Sequence, residues 1–253
     1  MKHLRKFETT AEYNAYTADT ANLVFPNTSV CLDAPATVHY NPIPGPYGKH
    51  KYVEIGGLKW ATMNMGANSV TDYGSYFQWG DTQEYTSDQC GSGSGQKAFD
   101  WPDYKYWTAD TGSGSSGFTK YNNTDGKTVL DASDDAAVAN WGGNWRMPAR
   151  ADLDILFGAV NSEWTSNYND SGVAGLVCTD KTDSSKVLFF PAVGRCVQGN
   201  FRYPGVLGDY WLSDISYTRI DHAYYLNIKS GFSPTWNSFT ERYGGRGIRP
   251  VAD

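Results

Sequence analysis

The sequence predicts an α+β fold with a small N-terminal appendage, and three observations predict it. Two segments in the middle of the chain carry helix start and stop signals. The C-terminal part alternates apolar and polar residues at the period of a strand. The composition, 40% hydrophobic and 19% charged with 15% aromatics and 27 glycines, suits a buried core joined by tight turns and not a helical bundle.

Residues 1–48 read as the appendage and 49–253 as one main domain. Thr9 with Glu12 three residues later has the pattern of a capping box, which predicts a short helix from Ala11 to about Ala18. Ser29–Tyr40 alternates Val30/Leu32 and Val38/Tyr40 around Asp33-Ala34-Pro35, the pattern of a hairpin. Residues 41–48, with three prolines and two glycines, read as a linker. From Tyr52 the pattern is one of short strands, with surface loops at Gly91–Gly95 and Gly112–Gly117. A helix is expected over Ser133–Trp141, capped by Ser133, favoured at its start by Asp134 and Asp135, and stopped by Gly142-Gly143. A second helix is expected from Pro148 to Gly158, with Leu153, Leu156 and Phe157 on one face. Strands are expected around Leu188–Val193, Tyr224–Ile228 and Arg246–Val251.

The net charge of −6 argues against nucleic acid or an anionic membrane surface as the main partner. The longest apolar run, Val187–Val193, is interrupted by Pro191 and falls far short of the ~20 residues that span a bilayer, so no membrane insertion is expected. Met1–Glu8 is basic without an apolar stretch behind it. The expectation is therefore a chain made in the cytoplasm without a signal peptide, and displayed by attachment to a larger particle such as a virion, or at a cell surface. Cys31, Cys90, Cys178 and Cys196 show no zinc-like spacing and read as buried free thiols, although Cys178 and Cys196 could meet across a hairpin. The four histidines (His3, His39, His50, His222) have no metal spacing, so neither metal nor cofactor is expected.

Five segments carry a resemblance. Leu58–Gly66, Asp72–Gly80, Asn140–Pro148, Asp209–Ser213 and Arg246–Val251 are similar, in the same order, to the major paralogous domain of fibrobacter and bacteroides genomes. Trp145–Leu153 also resembles an element of formylglycine-generating enzymes. The resemblance implies a C-type-lectin-like fold, two helices packed on short antiparallel strands. The C-terminal block, about 210–251, further resembles the variable region of proteins diversified by retroelements, in which Asn codons scatter into many residue types. That likeness implies a display protein that binds a protein or glycan on a cell surface, with no catalytic residues and not an enzyme. A homo-oligomer is compatible with it.

The strand pattern gives this likeness a physical basis. Tyr224, Leu226 and Ile228 share one face of a strand, whereas Tyr225, Asn227 and Lys229 share the other, where change costs little stability. Asp214, Ser216, Tyr217, Thr218, Arg219, Asp221 and His222 follow no period, and all are reachable from Asn codons. So are Thr235, Asn237, Ser238, Phe239, Thr240 and Tyr243, whereas Trp236 and Glu241 are not. Aromatics make up 11 of the 43 residues between Phe201 and Tyr243, well above the 15% of the whole chain, and such rings give contact area at low entropic cost. Tyr210, Trp211 and Tyr224 are expected in the core. Tyr217, Tyr225, Trp236, Phe239 and Tyr243 are expected at the surface, and with Asn227 and the residues above they form the expected ligand-binding set.

Other chemistry is less well provided. No cysteine follows Cys196, so the paired thiols of formylglycine-generating enzymes are missing. The Pro-containing calcium motifs of sugar-binding lectins are missing too, and Trp236-Asn237-Ser238 lacks an acidic third residue. Asp134/Asp135 and Asp152/Asp154 read as helix-start and polar-face residues, and Arg146 and Arg249 as partners of buried carboxylates or carbonyls. Two alternatives stay open: a non-diversified bacterial surface adhesin or carbohydrate-binding module, and an enzyme of unrecognised type.

Overall fold

The structure, a computed structural model, describes residues 50–108 and 117–253 together with two short strands near the N-terminus. The chain divides into two compact units, Met1–Lys49 and His50–Asp253. In the first, β1 (Thr28–Ser29) pairs antiparallel with β2 (His39–Tyr40), so an antiparallel pair stands where the hairpin is expected. The expected helix over 11–18, the linker and Cys31 lie outside the described residues.

The second unit is α+β. It opens with the hairpin β3 (Tyr52–Ile55) and β4 (Leu58–Ala61), whose two-residue turn is Gly56-Gly57 at φ +62° and +79°. Positive φ at both turn residues matches the twist of the flanking strands and costs glycine nothing. Then come α1 (Ala136–Trp141) and α2 (Arg150–Ala159), β5 (Val160–Thr165), β6 (Gly175–Asp180) and β7 (Val187–Pro191). They are followed by β8 (Arg195–Val197), β9 (Asn200–Arg202), β10 (Leu207–Ile215), β11 (His222–Lys229), β12 (Thr235–Glu241) and β13 (Val251–Ala252). Within the described residues these make three small antiparallel sheets, ordered β13-β4-β3, β5-β6-β7 and β10-β11-β12, plus the hairpin β8-β9. Val251 pairs with Trp60, so the last strand closes on the first hairpin of this unit. Among the described residues no helix is long and apolar enough to cross a membrane.

Both helices form where expected, but their starts differ. Asp135, not Ser133, caps α1, its Oδ1 accepting from the amides of Ala137 (2.8 Å) and Val138 (3.1 Å). Its other oxygen accepts from Met147 N at 2.8 Å, so one buried carboxylate joins the helix start to the next segment. A serine two residues earlier cannot make that second bond. Gly142 and Gly143, at φ +66° and +61°, end the helix as expected. At α2, Asp152 turns back to the Ala149 amide (2.6 Å) and takes a forked pair of bonds from Arg146 (2.5 and 3.0 Å). It is buried, so the expectation of a polar-face aspartate holds for Asp154 and not for Asp152.

The core has two parts. Ile55, Trp60, Leu153, Leu156, Leu176, Leu188, Phe190, Tyr210, Leu226 and Ile228 form one. Met65, Phe77, Trp79, Tyr104, Tyr121, Met147, Trp211 and Ile248 form the other. The run Arg246–Pro250 is buried throughout but is not the continuous strand expected, since only Val251–Ala252 pairs along a neighbour. Isolated bridges join Arg246 to Phe77 and Gly247 to Tyr210 instead. Buried arginines at 242, 246 and 249 each require polar partners in a different direction, which a single ladder cannot supply.

Asp134 is a charged point within this core. Lys105 Nζ lies 3.2 Å from it, Lys120 pairs with its other oxygen, and the Tyr121 hydroxyl donates to it at 2.6 Å. Burial opposes its ionisation, yet these donors hold its carboxyl well below the usual carboxylate range. A depressed folded-state pKa stabilises the fold above the unfolded value and loses that contribution as pH falls. Unfolding free energy measured in urea is therefore expected to fall between about pH 5 and pH 3, more steeply than in Asp134→Asn. Equal slopes in the two proteins would remove Asp134 from the acid response.

Candidate functional site

The sheet β10-β11-β12 carries most of the expected binding residues, and its register decides where they point. Tyr210 pairs with Leu226, Trp211 with Tyr225, Tyr224 with Phe239 and Tyr225 with Ser238. Tyr224, Leu226 and Ile228 are buried on one side, as the alternation predicts, and Tyr210 and Trp211 are buried as well. Tyr225 and Asn227 lie on the opposite side but are only half exposed. The Arg246 guanidinium lies 4.4 Å from the Trp211 ring and 5.0 Å from the Tyr225 ring. Asn227 donates to Asp209 at 2.6 Å, and Asp209 is fully buried with Arg195 at 3.1 Å and Arg246 at 3.7 Å. Tyr225 and Asn227 are therefore coupled to a charged framework.

The exposed positions cluster at the turn before β11 and along β12. Tyr217, Thr218 and Arg219 are exposed in the turn, and Thr235, Asn237 and Phe239 on β12. Tyr217 is 67% accessible. Asp214, Asp221, Trp236, Ser238 and Thr240 are half-buried. The register shifts by one residue between Tyr225 and Asn227. That extra residue in β12 turns Trp236 towards α2, where it stacks on Phe157 (centroids 4.7 Å, planes at 15°) and donates to Asp154 at 2.7 Å.

Three expected site residues are buried instead. Tyr243 is only 7% accessible, its ring 4.7 Å from Trp101 in the second core. Strand alternation stops applying at Glu241, because the next amide, Arg242 N, bonds to Asp221 O (3.1 Å) and the chain turns inward. Ser216 is buried because its hydroxyl accepts from the amides of Arg219 (3.2 Å) and Thr218 (3.4 Å) and so shapes the turn. His222 is buried beside Asp221, Nδ1 to Oδ1 at 3.0 Å, with its ring 5.7 Å from Phe239. Burial works against the charge on Asp221, but Arg219 and His222 hold its pKa below the usual range.

The α2 helix supplies site residues that the sequence pattern does not reveal. The Arg150 guanidinium sits 4.2 Å from the Tyr224 ring and 5.4 Å from the Tyr217 ring, and it donates to Asn237. Its backbone amide donates to Asp214 Oδ2 at 2.9 Å. Burial raises the Asp214 pKa, and that amide partly offsets the rise. Arg150, Asp154 and Phe157 are more than sixty residues from their partners in β12, so no local spacing could signal them.

Elsewhere the carboxylates are occupied structurally: Asp134 by lysines, Asp135 by amides, Asp152 by Arg146 and Asp154 by Trp236. A pocket of about 460 Å³ lies between residues 66–75 and 86–87 and is lined by Asn68, Thr71, Asp72, Tyr73 and Ser75 among others. None of the expected binding residues lines it. Among the described residues no three His, Cys, Asp or Glu side chains are grouped to hold a metal ion. No family model, curated protein or solved structure matches the chain.

Proposed function

We propose that this chain is a binding protein of C-type-lectin-like architecture that displays a changeable set of side chains on β12 and the turn at 216–221, diversified by a retroelement. Its target on this reading is a protein or glycan at a cell surface, bound by preformed contacts without bond chemistry. The observation that carries the reading is a separation of roles. Tyr217, Thr218, Arg219, Thr235, Asn237 and Phe239 are exposed, whereas Tyr210, Trp211, Leu226, Ile248 and Arg249 of the framework are at most 1% accessible. Residues of the first kind can change at little cost to the fold, and those of the second kind cannot. Exposed Tyr217 and Phe239 rings, with Arg150 and Asn237 beside them, provide the aromatic and forked polar groups that dominate protein recognition surfaces.

Sequencing many natural copies of the gene from one population tests this reading. Variation is expected to be greatest at the six exposed positions and lower at Tyr225 and Asn227, which the Asp209–Arg246 framework engages. It is expected to be absent at Tyr210, Trp211 and Arg249. An invariant 214–243 segment, or variation spread evenly over the chain, would sink diversification and leave a fixed adhesin or carbohydrate-binding module.

A further inference from the structure

Cys90 and Cys196 are 106 positions apart, but backbone pairing sets them together. The segment after Cys90 folds back on itself, with Lys97 N donating to Gln89 O at 2.7 Å and Gly91 N to Lys97 O at 3.0 Å. Its next residues dock on the β8–β9 turn, where Gly199 N donates to Ala98 O (2.6 Å) and Gln198 N to Phe99 O (3.1 Å). Cys196, in β8, exchanges two backbone bonds with Gly245, at 2.9 and 2.8 Å. A Cβ on Gly245 would lie 2.5 Å from the Phe99 ring, so the three segments pack without space between them. Held in this way, Cys90 packs against the core part that contains Cys196, and each thiol lies near enough to shift the other's ionisation. Cys196 is buried and Cys90 half exposed, and both are free thiols here.

We propose that Cys90 and Cys196 are a redox pair that closes to a disulfide when the protein meets a small-molecule disulfide such as oxidised glutathione. The two sulfurs differ in a way that orders the steps. The neighbouring Cys196 thiol and Val197 amide hold the Cys90 thiol below its ordinary range, whereas Cys90 and burial push Cys196 up. Cys90, accessible and readier to ionise, attacks the oxidant, releasing one glutathione and leaving a mixed disulfide. The Cys196 sulfur then displaces the second glutathione. The protein loses two thiol protons and two electrons, and one glutathione disulfide becomes two glutathione thiols. The bond would tie the Gly/Ser-rich 91–95 loop and the Phe99–Trp101 segment to β8, next to the strand end where Trp101 holds Tyr243. It forms on passage from a reducing to an oxidising surrounding, and its formation does not depend on the binding function proposed above.

The test uses the full folded chain, oxidised glutathione as probe, an acid quench, and then unfolding, alkylation and peptide mapping. The expected result is the loss of two of the four alkylatable thiols and a linked peptide containing Cys90 and Cys196. Cys31→Ser should form the same link, and Cys90→Ser should form none while its far-ultraviolet spectrum matches that of the parent. Four thiols still alkylated, a stable glutathione adduct on Cys90, or a link through Cys31 or Cys178 would each overturn the proposal.

Discussion

Arg249→Ala is expected to lower the unfolding free energy by ~3–5 kcal/mol, read as a shift of the urea midpoint at unchanged slope. The side chain is 1% accessible and divides its donors among three places. Nε bonds to Asn64 Oδ1 at 2.9 Å, Nη1 to Ala61 O at 3.1 Å and Nη2 to Phe189 O at 2.9 Å. The guanidinium also lies 4.9 Å from the Phe190 ring. Burial pulls its pKa down to about 10, so it stays charged at neutral pH. Alanine would leave three acceptors without that donor and a cavity between β4 and β7. Relief of a desolvated charge returns part of this, which keeps the loss below the sum of three bonds. Arg249→Lys supplies one donor direction in place of three and is expected to fall between the parent and alanine. A loss under about 1 kcal/mol for alanine would mean that the guanidinium does not join the two sheets energetically.

Trp211→Ala is expected to cost a similar amount, ~3–5 kcal/mol, while Tyr217→Ala is expected to stay within about 0.5 kcal/mol of the parent. Trp211 is fully buried, and its Nε1 donates to Phe77 O at 2.8 Å and Gly244 O at 3.2 Å. Arg246 lies over its ring, so removal takes away volume, two hydrogen bonds and a cation–π contact together. Tyr217 is only six residues away, yet it is 67% accessible, with its ring beside Arg150 at 5.4 Å and the Tyr224 ring at 5.6 Å. Thermal or urea unfolding of both variants under identical conditions decides the matter. A Tyr217→Ala loss approaching that of Trp211→Ala would end the division between a fixed framework and a changeable surface.

What the sequence made legible was whatever depends on neighbours in the chain. The period of Tyr224–Ile228, the glycine stop after Trp141 and the apolar face of α2 are local signals, and each appears in the structure. Ser133 and Asp135 are equivalent caps for α1 on local grounds, and only the bond to Met147 separates them. Strand alternation alone puts Tyr243 outside, because it carries no signal of the point where Arg242 turns the chain inward. Trp236 points to Phe157 because β12 has one residue more than β11 opposite it, which no reading of β12 alone reveals. Arg150 reaches the site from α2, and Cys90 packs against the core part that holds Cys196. Both are tertiary facts without local trace.

The extra residue in β12 has a further consequence. The strand is an outer member of its sheet, and if its exposed residues change as proposed above, it risks acquiring a flat apolar sequence that pairs with another molecule. Here the bulge bends the strand out of a straight ladder, and Arg150, Asp154 and Phe157 of α2 engage its first half through Asn237 and Trp236. Resistance to edge-to-edge aggregation is thereby assigned to the backbone and the helix, and the exposed side chains are relieved of it.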